Sequence, residues 1–152
     1  MADYRIGKVI AVSGDQVYVS LLDAVEDGSA GVPASMTVDM PSPDGPVPLL
    51  IGQPGTFILV SLPAGYLLCM VTGIEMKEER IAAPEMRQAA GADLALIDRV
   101  SRSLATVPVG TVDAAGFFER GADVLPTVNA PVFAVDDKMI DQIYAGYAEG
   151  DF

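Results

Sequence analysis

The groups able to carry chemistry are few. The one cysteine, Cys69, sits in the apolar run YLLCMV, and the 152-residue chain has no histidine. A thiolate nucleophile needs a base or cationic neighbour to ionise near neutral pH, so Cys69 reads as a buried core thiol. The missing histidine also excludes Ser-His-Asp and Cys-His constellations, and zinc sites built on histidine or several cysteines. Carboxylates are plentiful. Asp136 and Asp137 are adjacent, but they precede a helix-periodic apolar run, where an acid accepts free first-turn N–H groups; capping is the stronger account. Glu75, Glu78 and Glu79 lie where the chain leaves a strand and read as a solvated cluster. An acid pair of glycosidase type is left open, because its geometry is non-local. The glycines of IGQPGTF (51–57) lack the Gly-Lys-Ser/Thr spacing of a phosphate-binding loop and have no lysine beside them. They are better explained as a tight turn into the next strand.

The elements that would hold these groups are mostly strands. IGKVIAVSGDQVYVSLL (6–22) reads as a β-hairpin turning at SGDQ, with Gly14 free to take positive φ. Val17, Val19 and Leu21 alternate with Gln16, Tyr18 and Ser20. Residues 23–48 are rich in glycine, proline and acids, which predicts a loop excursion with one short strand around Met36–Val38. Thr56–Ser61 and Tyr66–Met76 read as strands reversed at LPAG. Both are almost continuously apolar, which predicts burial on both faces, as in the wall of a small barrel. Residues 77–104 are charged and alanine-rich. Leu94, Ile97, Val100, Ser101 and Leu104 have helical spacing, so a helix is expected over 93–104, preceded by a surface loop or a short helix broken at Gly91. A strand with a glycine at a bend follows over 106–121; Pro108 places it near an edge or at a strand start. APVFAV (130–135) is a short strand. Met139, Ile140, Ile143, Tyr144 and Tyr147 then make one apolar stripe on a helix. The expected fold is mainly β: a small closed or partly open barrel over residues 1–136 with excursions 23–48 and 77–104, and a C-terminal helix over 137–152.

Composition narrows the function classes. Hydrophobic residues make up 51% of the chain, enough for a real core. No run reaches the ~18 apolar residues of a membrane helix, and MADYRIGK has no signal-peptide character. These features predict a cytoplasmic protein that does not engage a membrane. The net charge is −12 and the nine Lys and Arg are scattered. Binding of nucleic acid by phosphate neutralisation is therefore not expected of this chain. An acidic balance suits a partner with a basic face.

The ordered set IGKVIAVSGDQVYVSLL, IGQPGTFILV, LLCMVTGIEM and VPVGTVDAAGFFERGADVLPTVNAPVFAVDDKMIDQIYAG resembles the N-terminal barrel of HerA-type hexameric DNA translocases. That barrel, the HAS-barrel, is shared with ATP synthase subunits. The matching positions are Gly7, Val9, Gly14, Gly52, Gly55, Gly110, Phe118, Arg120, Gly121, Pro126, Pro131 and the helix 137–147. The resemblance covers about two-thirds of the chain; residues 23–48 and 77–104 lie outside it. It implies a barrel that helps hold a homo-oligomer, a hexamer in the full-length context, and offers a docking face to an effector. That effector would be a nuclease of the NurA type or another protein of an anti-phage or DNA-processing system. The family's RecA-like motor, with its P-loop, ATP and Mg, would follow residue 152. No catalytic, cofactor or metal residue is assigned to this chain.

Three readings follow. The first is a non-catalytic oligomerisation and docking module of such a translocase. Val32, Met36, Val38 and Met40 on the first excursion are its candidate contacts, with ordinary surface or core positions as the alternative. Arg120 would bridge to a neighbouring acid, with an ordinary surface arginine, or one that holds its own turn, as the alternatives. The second is a free-standing structural barrel, such as a virion or tail component. The third is a carboxylate enzyme on a β-scaffold, which would need two acids with separated pKa values in one cleft.

Overall fold

The computed structural model describes residues 4–26, 28–40, 43–82, 96–121 and 124–150, with the side chains of 79–82, 96–99 and 146–150 left aside. Nine strands and one helix are described. They are β1 (Arg5–Ser13), β2 (Gln16–Leu21), β3 (Thr37–Met40), β4 (Val47–Leu50), β5 (Phe57–Leu62), β6 (Gly65–Ala82), β7 (Leu96–Asp113), β8 (Phe118–Arg120), β9 (Pro131–Ala134) and α1 (Asp137–Gly150).

The main sheet runs β2-β1-β9-β5-β6-β7-β8, and β2 also pairs with β7. That last pairing closes six strands into a barrel and leaves β8 as an added edge strand. Thr106 secures the seam: it is fully buried, and its Oγ1 donates to Val17 O at 2.8 Å. The fold class is therefore the one expected, mainly β with a C-terminal helix. The first hairpin turns at Gly14–Asp15, where Gly14 has φ 59°.

Two clusters account for the apolar runs of β5 and β6. Ile58, Val60, Leu67, Cys69 and Val71 point inward and join Ile6, Val9, Val17, Val19, Leu104 and Val132 in the barrel interior. Their neighbours Leu59 and Leu68 point outward and pack with Val112, Phe118, Val135 and Ile143. Successive strand residues face opposite sides, so a wall with a filled interior and a helix on its outside must be apolar at every position. The helix begins as expected: Met139 N donates to Asp136 Oδ1 at 2.8 Å. Ile143 is fully buried and Met139 and Ile140 are half-buried against the wall.

Pro108 lies in β7, one of the two 18-residue strands, at a point where β7 has a neighbour on one side alone among the described residues. The β2 pairing stops at Thr106 and the β8 pairing starts at Gly110, so the missing N–H breaks no second ladder. The register against β6 also shifts between Leu68↔Gly110 and Cys69↔Pro108, a bulge beside the glycine.

The helix expected over 93–104 is not formed where the chain is described. From Leu96 onward this segment is strand β7, paired residue by residue with β6 as far as Ala82↔Leu96. The expected break at Gly91 lies outside the described residues. The β6–β7 pair therefore runs past the barrel as a two-stranded ribbon. Beyond Val71 on β6 and before Ser103 on β7, each strand is paired, among the described residues, with the other alone.

Candidate docking surface

The first excursion is an integral part of the core. Val32 is fully buried, and Met36, Val38 and Met40 are 7%, 3% and 5% exposed. All four belong to the interior cluster of the barrel. They are therefore not exposed contacts, as the first reading had them. Removing each from water stabilises the fold by about 1.5–3 kcal/mol. The excursion is tied down by backbone bonds, Val32 N to Leu22 O and Gly31 N to Arg5 O, both 2.8 Å. Met36 takes a left-handed φ of 61°, held by Met36 N to Pro33 O at 2.9 Å and Ile51 N to Met36 O at 2.8 Å.

Arg102 holds the same excursion from the ribbon side. Its side chain is buried, Nη1 donating to Pro33 O at 2.9 Å and Nη2 to Val32 O at 2.6 Å and Leu22 O at 3.3 Å. Nη2 also meets Asp23 Oδ1 at 3.3 Å, but that carboxylate is 83% exposed. The arginine thus acts chiefly as a fork of donors for buried carbonyls. Sequence reasoning counted it as one scattered base.

The groups that remain available lie at the other end of the β6–β7 pair. Between the β5–β6 turn and the β7–β8 turn is a groove of about 490 Å³ whose lining includes Leu62, Tyr66, Val112, Phe117 and Val124, with Asp113 and Glu119 at its polar positions. Phe117 and Val124 are more than half exposed. The turn that presents Phe117 is fixed by one side chain. Asp113 Oδ1 accepts from Ala115 N and Phe117 N, both at 2.9 Å, and Asp113 N donates to Phe117 O at 3.0 Å. An exposed aromatic on a hydrogen-bonded turn loses little freedom on contact, which favours binding. A second hollow of about 370 Å³ shares the Pro63–Ala64 turn and Asp113 and reaches Ala114 and Gly116.

The β8 strand beside the groove depends on a glycine. A Cβ at Gly110 would stand within 2.6 Å of two Phe118 ring carbons and would collide with the Glu119 carbonyl. Without it the Phe118 ring lies on β7 and reaches Tyr144 of α1, with ring centres 5.9 Å apart. Arg120 is exposed on this edge strand, paired through its backbone with Gly110.

The chemically reactive groups are not gathered here. Cys69 points into the barrel interior, where burial pushes its thiol up to about 12 against the opposing pull of a hydrogen bond with Thr106. Glu75 and Glu78 stand exposed on the ribbon, and Asp136 caps α1. Gly52 and Gly55, with φ of 88° and 89°, make the turn into β5: Gly55 N donates to Val71 O at 2.8 Å and Thr56 Oγ1 to Gln53 O at 2.6 Å. Among the described residues no helix is long and apolar enough to cross a membrane. Comparison with models of known protein families and with curated protein sequences finds no match for this chain.

Proposed function

We propose that this chain is a non-catalytic assembly and docking module, of the kind that the N-terminal barrel supplies to HerA-like ATP-driven DNA translocases. The observation that carries the docking reading is the groove: an apolar hollow with an exposed aromatic on a rigid turn, beside an edge strand. The barrel interior, by contrast, is filled with side chains, and the thiol inside it is held protonated. The translocase context rests on the ordered sequence motifs. Gly14, Gly52, Gly55 and Gly121 of those motifs lie at positive φ, and the final helix packs on the barrel wall. In that context the partner is a nuclease or another effector acting on DNA, and ATP and Mg belong to a motor outside this chain. A free-standing structural barrel is the competing reading.

Molar mass by light scattering across a concentration series tests assembly. A ring-sized species supports the module, and a monomer at every concentration removes self-assembly from this chain. The encoding gene separates the two contexts. A reading frame continuing into a P-loop motor supports the translocase, and a stop codon after Phe152 favours the free-standing barrel.

A further inference from the structure

The groove between the β5–β6 and β7–β8 turns sets apolar and charged groups at a fixed spacing. Partners across a ladder share a face of the sheet. Leu62 pairs with Gly65, Gly65 with Asp113, and Asp113 N donates to Phe117 O at 3.0 Å. One row across the sheet is therefore Leu62, Gly65, Asp113 and Phe117. Gly65 brings no side chain to that row, which leaves a hollow between Leu62 and Asp113. In the next row Thr111 pairs with Glu119. Phe117 and Glu119 thus stand two residues apart on one face, about 7 Å at ~3.3 Å per residue. Arg120 falls on the opposite face, and no Lys or Arg is among the described residues that line the groove. Asp113 gives one carboxylate oxygen, Oδ1, to the turn. The Glu119 side chain has no hydrogen-bond or ion-pair partner among the described residues. An apolar contact and an uncompensated negative charge therefore sit at the spacing of alternate residues in an extended chain. A second copy of this chain, with its net charge of −12, is repelled from such a rim, and a basic segment is drawn to it.

We propose that the groove takes an extended segment of a partner protein in which an apolar residue and a Lys or Arg stand two positions apart. The apolar side chain lies among Leu62, Phe117 and Val124, and the cation meets Glu119 and the remaining oxygen of Asp113. The inference rests on the docking reading above and names the chemistry of the docked segment. Sites for alternate side chains are how a sheet surface selects an extended peptide. The turn that carries Asp113 and Phe117 is hydrogen-bonded before contact, so little order has to be imposed when the segment arrives.

An array of capped heptapeptides, Thr-Thr-X-Thr-Z-Thr-Thr, tests the segment, with X and Z each run through the twenty amino acids and the labelled chain as probe. Peptides with an aliphatic or aromatic residue at one position and Lys or Arg at the other should hold at least tenfold more chain than those with Asp or Glu in place of the base. The best peptide is then titrated in solution against variants of the chain. Phe117→Ser should weaken binding at least tenfold and Glu119→Gln about threefold, both with unchanged melting, since both side chains are exposed. The Glu119→Gln deficit should vanish at 1 M salt, and Glu119→Lys should turn the array preference from bases towards acids. Binding that ignores the charge of the peptide would overturn the proposal and leave the docking reading standing. An array with no enriched peptide would defeat both, and assembly would still be decided by light scattering. A fall in the molar mass of Phe117→Ser without peptide would assign the groove to a second copy and also overturn the proposal.

Discussion

Arg102 is the residue whose role is largest and least visible in the chain. Its guanidinium meets three backbone carbonyls that fix the first excursion onto the barrel. Arg102→Ala would leave those acceptors short of a donor in a buried place, and a loss of about 2–4 kcal/mol is expected in urea denaturation. Asp23→Asn should cost under about 1 kcal/mol, because the carboxylate is solvated. Equal losses in the two variants would mean that the ion pair, and not the carbonyl fork, holds the excursion. Cys69 gives a prediction of pH dependence. Its folded pKa, about 12, stands above the 9.0 of a free thiol. The folded state keeps the proton that the unfolded chain gives up, so this contribution is full below pH 9 and is lost as pH rises towards 12. The slope is at most about 1.4 kcal/mol per pH unit. The stability difference between the native chain and Cys69→Ala should narrow over that window, and a constant difference would place the thiol in a wetter site.

At the scale of elements, the β7–β8 junction and α1 are joined through one ring. Gly110→Ala would drive a methyl group into Phe118 and the Glu119 carbonyl. A loss of about 1–3 kcal/mol is expected, with faster amide exchange over Phe118–Gly121 than in β5. Unchanged exchange there would mean that β8 holds its place without the ring contact. The elements that could be read from the sequence are those with local signals. The first hairpin has a two-residue turn with glycine, and α1 has an acid cap followed by one apolar stripe. The ribbon had no such signal. Ile97 and Val100 stand three apart, a helical spacing, yet both belong to a strand whose partner lies elsewhere in the chain. Val32, Met36, Val38 and Met40 were misread for a related reason. Glycine, proline and acids around them mark a loop, and only the barrel mouth and Arg102 make that loop a part of the core. The groove is built from turns about 50 residues apart, beyond any local pattern. One signal did exist. Phe117 and Phe118 are adjacent in an extended segment, so when one packs inward the other must face out.

For the whole molecule, charge and shape set opposite demands. A closed barrel has no open edge in its wall, so among the described residues edge-to-edge pairing is left to β8, the β3–β4 pair and the ribbon. A net charge of −12 on 152 residues opposes every one of these contacts. Assembly is then sensitive to each base outside the ribbon, of which Arg120 is the one on the β8 edge. Arg120→Glu takes the chain two charges further from neutrality at a site where an incoming strand would lie. Arg120 is exposed and its backbone pairing does not use the side chain, so melting should change by less than the ~0.5 kcal/mol typical of surface substitutions. Self-association should weaken several-fold at low salt. The deficit should shrink at 1 M salt, where the Debye length falls to about 3 Å. The same light-scattering series decides this. An unaltered mass distribution at low salt would remove Arg120 and the β8 edge from the interface, and a deficit that persists at 1 M salt would point to lost packing in place of charge.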